Sequence, residues 1–265
     1  MQGIEGKVAI VSGGAASIGA EVAKIFVVHG AAVVIADVDA YAGAALAATL
    51  GEHAVAFETD LGSDDDIRAC AKGAVGRFGR VDFVVNAAAL YQDEGAASDR
   101  ASWARSFDVN VTGPVMLVRA VQSQLAATKG AVVNIGSISA GVAQAGRWTY
   151  PASKAALAQA TRSMALDLSR DGIRVNSVSP GWTWSTGMER LGLTRDAVDR
   201  VAAPFHFPGR AGNRSEIAEA VLFLCSDHAR FISGADLPVD GGYRAMGPEG
   251  RESAFGALME AISAK

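Results

Sequence analysis

The sequence predicts an α/β fold, a doubly wound and mostly parallel sheet with helices on both faces. Three observations predict it. Short β-branched runs alternate with longer helical patterns from end to end. Those runs are nearly all apolar, as strands covered on both faces must be. No Pro- or Ser-rich linker divides the 265 residues, so a single domain over 1–265 can absorb the chain in three layers.

The elements follow in order. Lys7–Ser12 (KVAIVS) reads as a first strand and Ser17–His29 as a helix. Ala32–Asp37 (AVVIAD) and Ala54–Glu58 are strands, followed by helices over Ala40–Leu50 and Asp64–Phe78. Val81–Val85 is a fourth strand, and one long helix is expected from about Ala101 to Ala127. Ala131–Ile135 (AVVNI) precedes a helix over Pro151–Ser169, and Ile173–Ser179 is a sixth strand. Gly181 to Gly212 reads as one long irregular stretch, placed where a substrate-covering loop would sit, over 182–213. Arg214–Cys225 is a helix and Asp236–Val239 a last short strand. Right-handed crossovers make such a sheet doubly wound, with its crevice at the carboxyl ends of the strands.

Composition narrows the function classes. Apolar residues are 50%, charged residues 20%, and the net charge is −4, which argues against nucleic acid or an anionic membrane as a partner. Cys70 and Cys225 stand in apolar helical stretches without CxxC spacing, and the four histidines are scattered, so no disulfide framework or metal site is expected. There is no apolar run of about 18 residues and no signal pattern at Met1–Val8, so a cytoplasmic protein without a membrane span is expected.

The first strand runs into Ser12-Gly13-Gly14-Ala15-Ala16-Ser17-Ile18-Gly19 and then a helix. A glycine-rich turn there lets backbone N–H groups approach a pyrophosphate at a helix N-terminus. A tight turn without a ligand is the plainer reading, and the βαβ context favours the ligand. Asp37 ends the second strand, where a carboxylate accepts from both adenosine-ribose hydroxyls and repels a 2′-phosphate. With no Arg at 13–19 or 38, this favours NAD over NADP. Asp60-Leu61 ends the third strand and could meet the adenine, or Asp60 could cap the next helix.

Tyr150 and Lys154 are four apart, so on a helix they share a face. Pro151 suits a first helical position, which puts Tyr150 at the positive end. A nearby ammonium and a cationic nicotinamide would lower the phenol's pKa from about 10 and make it a general base.

Ser12-Gly13-xxx-Ser17-Ile18-Gly19, Asp60, Asn86-Ala87-Ala88-Ala89, Asn110, Asn134-Ile135-Gly136-Ser137, Tyr150-xxx-Lys154, Pro180-Gly181 and Asp240-Gly241-Gly242 together resemble the short-chain dehydrogenase/reductase family, in its compact single-domain branch. The resemblance covers about residues 4 to 243 and implies a Rossmann fold and an oxidoreductase. It implies Tyr150 as acid/base, Lys154 lowering its pKa and holding the nicotinamide ribose, Ser137 on the reacting oxygen, and Asn110 holding a water that links Lys154 to solvent. It places Gly13, Ser17, Ile18, Gly19, Asp60, Leu61, Asn86, Ala88, Pro180, Gly181 and the backbone near Thr183 along the cofactor, with Ser185 and Thr186 flanking the nicotinamide. Hydride would pass between a secondary alcohol, or its ketone, and the nicotinamide.

Three departures stand out. Ser17 replaces a usual glycine and is expected to cap the helix or bond a phosphate. Asn86-Ala87-Ala88-Ala89 replaces Asn-Asn-Ala-Gly. Residues 243–265 extend past Asp240-Gly241-Gly242 with Phe255, Leu258 and Ile262 at helical spacing, expected as a packed helix or a tail reaching a neighbouring subunit.

Aromatics are only 7%, yet Tyr91, Trp148, Trp182, Trp184, Phe205 and Phe207 fall at carboxyl-edge positions. They are expected to line a pocket for a cyclic or bulky substrate, Trp148 and Trp182 foremost, or to seal the loop. Alanines at 152, 155, 156, 158 and 160 permit close helix packing, and the resemblance implies a homotetramer. A dihydrodiol dehydrogenase or carbonyl reductase of the same family, and a dinucleotide-binding regulator without catalysis, are the competing readings.

Overall fold

The computed structural model describes residues 1–263; the last two residues of the 243–265 extension lie outside the described residues. Seven strands form one sheet: β1 Val8–Ser12, β2 Ala32–Asp37, β3 Ala54–Glu58, β4 Phe83–Asn86, β5 Ala131–Ile135, β6 Arg174–Pro180 and β7 Asp236–Val239. Their order is β3-β2-β1-β4-β5-β6-β7 and every neighbouring pair is parallel. The order reverses between β1 and β4, the switch point that opens a crevice at the carboxyl edge.

The strand alternation explains the layers. Ala9, Val11, Val33, Ile35, Val85 and Val133 point to one face, where they meet Val22, Ala23 and Phe26 of α1 (Ser17–Val28) and Ile217, Val221 and Leu222 of α10 (Arg214–Cys225). Ile10, Val34, Val84, Val132 and Val175 point to the other. They meet α3 (Asp64–Phe78), α5 (Gly113–Ala120), α6 (Gln122–Thr128) and α7 (Thr149–Leu168). A strand's period of two forces this division, and apolar side chains on both faces require two helical layers. α2 (Ala40–Leu50) completes the first layer beside β2 and β3. Cys70 and Cys225 are core thiols; burial pushes them up to about 11 and about 12.

Three expectations need correction. The helix predicted over about 101–127 is three helices, α4 (Arg100–Phe107), α5 and α6, with a π turn at Asp108–Thr112 and a break at Val121. The π turn inserts one residue per hydrogen-bonded ring, and side-chain periodicity does not announce it. The stretch 181–212 is not irregular throughout. It holds α8 (Thr186–Arg190), capped by Ser185, and α9 (Arg195–Ala202), capped by Thr194. Pro151 is not the first helical residue either: α7 starts at Thr149, after Trp148.

The C-terminal pattern forms α11 (Ala254–Ser263), but Phe255, Leu258, Met259 and Ile262 are all exposed. The packed-helix expectation therefore fails for the described residues. The extension is tied to the domain by Tyr243, whose ring meets Phe205 and His206, by Arg244, which pairs with Asp236 at 2.8 Å, and by Arg251, whose guanidinium donates to the His206 and Phe207 carbonyls.

Candidate active site

The β1–α1 turn is held tightly against the end of β4. Gly13 has φ +65°, and a Cβ there would stand 2.6 Å from the Ala88 backbone. A Cβ on Gly19 would run into the Gly13 carbonyl. Two glycines are thus needed for the turn to close. Ile18 packs on the first core layer. Ser17 also has positive φ, +50°, in the left-handed region that a side chain disfavours. The expected cap is not made: Ala16 is the N-cap residue, with no side-chain cap bond. Instead the Ser17 N–H donates to the Thr186 hydroxyl at 3.2 Å, and Arg214 donates to the same oxygen at 3.0 Å.

Asp37 sits at the end of β2, as expected. One carboxylate oxygen accepts from Ala15 N–H at 2.9 Å and the other from Asp39 N–H at 3.0 Å. Each oxygen keeps a lone pair for a ribose hydroxyl. Asp60 accepts from Gly62 N–H and pairs with Arg105 at 2.9 Å, which together hold its carboxyl below the usual range. It is not the helix cap; Ser63 caps α3. Leu61 is a core side chain, so only its backbone is left to meet a ligand.

At the switch point, Ser12 Oγ and Asn86 Oδ1 are buried without a hydrogen-bond partner among the described residues. The other end of the Asn86 amide starts a buried relay. Its Nδ2 donates to Asn134 Oδ1 at 2.8 Å, and Asn134 Nδ2 donates to Thr161 Oγ1 at 2.8 Å. This ties β4, β5 and α7 together. Orphaned polar atoms, a glycine-closed turn and a poised carboxylate fit an adenine dinucleotide laid across the carboxyl edge.

α7 carries Tyr150 and Lys154, both almost wholly buried. Lys154 Nζ donates to the Ile135 carbonyl at 2.7 Å and lies 5.7 Å from the Tyr150 ring centre. Burial lowers Lys154 to about 8. Ser137 follows β5 two residues after Ile135, and its hydroxyl accepts from Ser139 N–H at 3.1 Å. Within the protein alone the Tyr150 phenol is raised: burial dominates, the Tyr91 phenol adds to it, and Ser137 and Arg147 act the other way. Lys154, spent on Ile135, does not offset the burial.

Asn110 lies in the π turn and is buried. Its amide is held on both sides: Oδ1 accepts from Leu90 N–H at 2.7 Å, and Nδ2 donates to the Leu90 carbonyl and to Ser153 Oγ, each at 3.0 Å. Ser153 in turn donates to the Tyr150 carbonyl at 2.7 Å. The side chain thus positions α7, and its Oδ1 keeps one lone pair.

Sequence reasoning missed Asp93. Its carboxylate accepts from Tyr150 N–H at 2.9 Å and from Gly95 N–H at 3.0 Å. Burial opposes ionisation, yet backbone donors at Trp148, Tyr150, Gly95 and Thr149 bring it down to about 2. The capping residue stands 57 positions from the helix it caps, so no local motif reveals it. Tyr91 stacks on Tyr150 with ring centres 5.0 Å apart, and the Arg147 guanidinium lies 4.8 Å from the Tyr150 ring centre.

The aromatic cluster expected around a substrate is split. Tyr91 joins Tyr150, and Trp148 is exposed at the start of α7. Trp182 and Trp184 instead pack on Val198, Ala202 and Ala211, sealing the loop's own small core. Pro180 ends β6, and Gly181 N–H donates to the Val239 carbonyl at 3.1 Å. Thr183 pairs with Gly212 through the Trp182 carbonyl and Trp184 N–H, which turns its own amide away from Gly212.

A doubly wound sheet with Ser137, Tyr150 and Lys154 at its carboxyl edge is the arrangement of an oxidoreductase. The chain belongs to the short-chain dehydrogenase/reductase family. The family model described as enoyl-(acyl carrier protein) reductase matches residues 13–244. The chain is 38% identical over 245 residues to cis-4-hydroxycyclohexanecarboxylate dehydrogenase of Sinomonas cyclohexanicum, covering 91% of this chain and 97% of that one. It is 37% identical over 248 residues to momilactone A synthase of Oryza sativa subsp. japonica, covering 89% of each. Its fold is similar to that of 7α-hydroxysteroid dehydrogenase in complex with NADH and 7-oxoglycochenodeoxycholic acid. There the TM-score is 0.85 at 31% identity, over 90% of this chain and 94% of that one. Among the described residues no helix is long and apolar enough to cross a membrane.

Proposed function

We propose that the protein is an NAD-dependent dehydrogenase of a ring-bearing or otherwise bulky secondary alcohol. The observation that carries this reading is the placing of Ser137, Tyr150 and Lys154 together, with Lys154 bonded to the strand end that leads into Ser137. Asp37 supports NAD over NADP, because a free 2′-phosphate beside its carboxylate would be repelled. The named substrates of the Sinomonas relative and of the hydroxysteroid dehydrogenase are cyclic alcohols or ketones, which supports a cyclic substrate.

The chain's residues divide the work. Ser137 Oγ donates to the substrate oxygen. The Tyr150 phenolate takes the proton from that oxygen in oxidation, and the phenol returns it in reduction. Lys154 ammonium stabilises the phenolate formed beside it. Gly13–Gly19 and Asp37 hold the dinucleotide, which supplies the hydride-accepting ring when bound. The backbone near Thr183, with its amide turned away from Gly212, is the donor proposed for the carboxamide.

Ketone reduction is the second reading, and the raised Tyr150 phenol favours it: in the free protein this group is an acid. We further propose assembly into a homotetramer through the faces of α4, α5 and α7, where Leu166 is exposed. Tyr150→Phe tests the core of the reading. It should abolish turnover and leave NADH binding, read by fluorescence, within about twofold. Retained turnover would overturn the assignment.

A further inference from the structure

Arg147 is a cation without a counter-ion beside the reacting phenol. Its guanidinium lies 4.8 Å from the Tyr150 ring centre, and one nitrogen donates to the Tyr91 carbonyl at 3.2 Å. Among the described residues no carboxylate pairs with it. The Asp93 carboxylate at the start of α7 is engaged by the backbone donors of Trp148, Thr149, Tyr150 and Gly95. The other cation at the phenol, Lys154, is buried and bonded to the Ile135 carbonyl, on the sheet side of α7. Arg147 is only half-buried, and its neighbours Tyr91 and Trp148 are exposed.

A guanidinium stacked on an aromatic ring keeps most of its N–H groups free in the ring plane. Here a single one is used, on Tyr91. The remaining donors form a fork whose natural complement is a carboxylate or a similar oxyanion. The rings around it exclude water from one side, which strengthens such a pair.

On the dehydrogenase reading above, we propose that Arg147 selects an anionic substrate: a ring-bearing secondary alcohol, or its ketone, with a carboxylate or comparable oxyanion distal to the reacting carbon. Tyr150 and Ser137 hold the hydroxyl end, and Arg147 holds the acid end. Arg147 is then a specificity residue, felt chiefly in KM, because it grips the anion equally in ground and transition states.

The test compares one hydroxy acid, a cyclohexanol carrying a carboxylate on carbon 4, with its methyl ester, using the full-length protein and NAD. The wild type should favour the acid by about 30-fold or more in kcat/KM. Raising the salt should erode that preference for the acid alone. In Arg147→Gln the acid-to-ester ratio should collapse toward one through a higher KM for the acid, and Arg147→Lys should recover part of it. A measurement on the wild type needs no variant: cyclohexanecarboxylate should inhibit competitively at least about tenfold more strongly than cyclohexanecarboxamide. Preference for the ester, an unchanged ratio in Arg147→Gln, or equal inhibition would overturn this inference while leaving the dehydrogenase reading intact. Failure to turn over either alcohol, together with no binding of NADH, would overturn both.

Discussion

Asp93 accepts a hydrogen bond from the backbone N–H of Tyr150, at 2.9 Å, and so caps α7 from the loop that follows β4. The same carboxylate meets the amides of Trp148 and Thr149, the donors that a helix start leaves unsatisfied. Its position fixes both where α7 begins and where the phenol points.

Asp93→Ala should cost about 1 kcal/mol of stability and lower kcat about tenfold, while Asp93→Asn, which still accepts, should recover most of the stability. The native carboxyl at about 2 lies below its ordinary 3.8. Its contribution is therefore complete above about pH 4 and is lost as the pH falls through about 2. Chemical denaturation of both variants between pH 2 and 6 checks this; equal losses in both would refute the capping role.

Lys154 gives a prediction of opposite sense. Its ammonium is held at about 8, against 10.5 for an exposed lysine, so at pH 7 the folded state carries a charge that burial penalises. Lys154→Met should raise stability, on the order of 3 kcal/mol at pH 7, while abolishing turnover. Between about pH 8 and 10.5 the unfolded chain binds the proton and the folded one does not. Wild-type stability should therefore rise across that window and the variant's advantage should shrink. Denaturant melts at pH 7 and 10 decide it.

Ser17 stands at φ +50° with no cap bond made by its side chain. Ser17→Gly should relieve about 1 kcal/mol of backbone strain and raise Tm by about 2–4 °C. A drop in Tm would mean that the hydroxyl contributes an interaction of its own.

Asp37 should set cofactor choice. The wild type should favour NAD over NADP by about 100-fold in kcat/KM, and Asp37→Ala should narrow this to about tenfold or less. Kinetics with both cofactors read it directly, and a wild type that prefers NADP would refute the argument.

The sheet was almost fully legible. Strands covered on both faces write their burial into the sequence as apolar runs, and β2, β3, β5 and β7 carry the expected boundaries. The Ser137, Tyr150 and Lys154 cluster was legible through family motifs. What escaped was set by backbone register and by distant contacts. The π turn around Asn110 leaves the apolar pattern intact while shifting the hydrogen bonds. The Asp93 cap spans 57 positions. The partner of Lys154, the Ile135 carbonyl, and the burial that raises the Tyr150 phenol are likewise set by packing that no local motif records.

The relay from Asn86 through Asn134 to Thr161 has a mechanical consequence. It makes α7 part of a stator. To rotate or slide, this helix would have to break the buried hydrogen bonds from Asn134 to Thr161 and from Lys154 to the Ile135 carbonyl at once. α8 and α9, by contrast, rest on a small core of their own and are the elements expected to move. Amide hydrogen exchange should divide along that line: β4, β5 and α7 opening only with global unfolding, and Thr186–Ala202 opening locally and often.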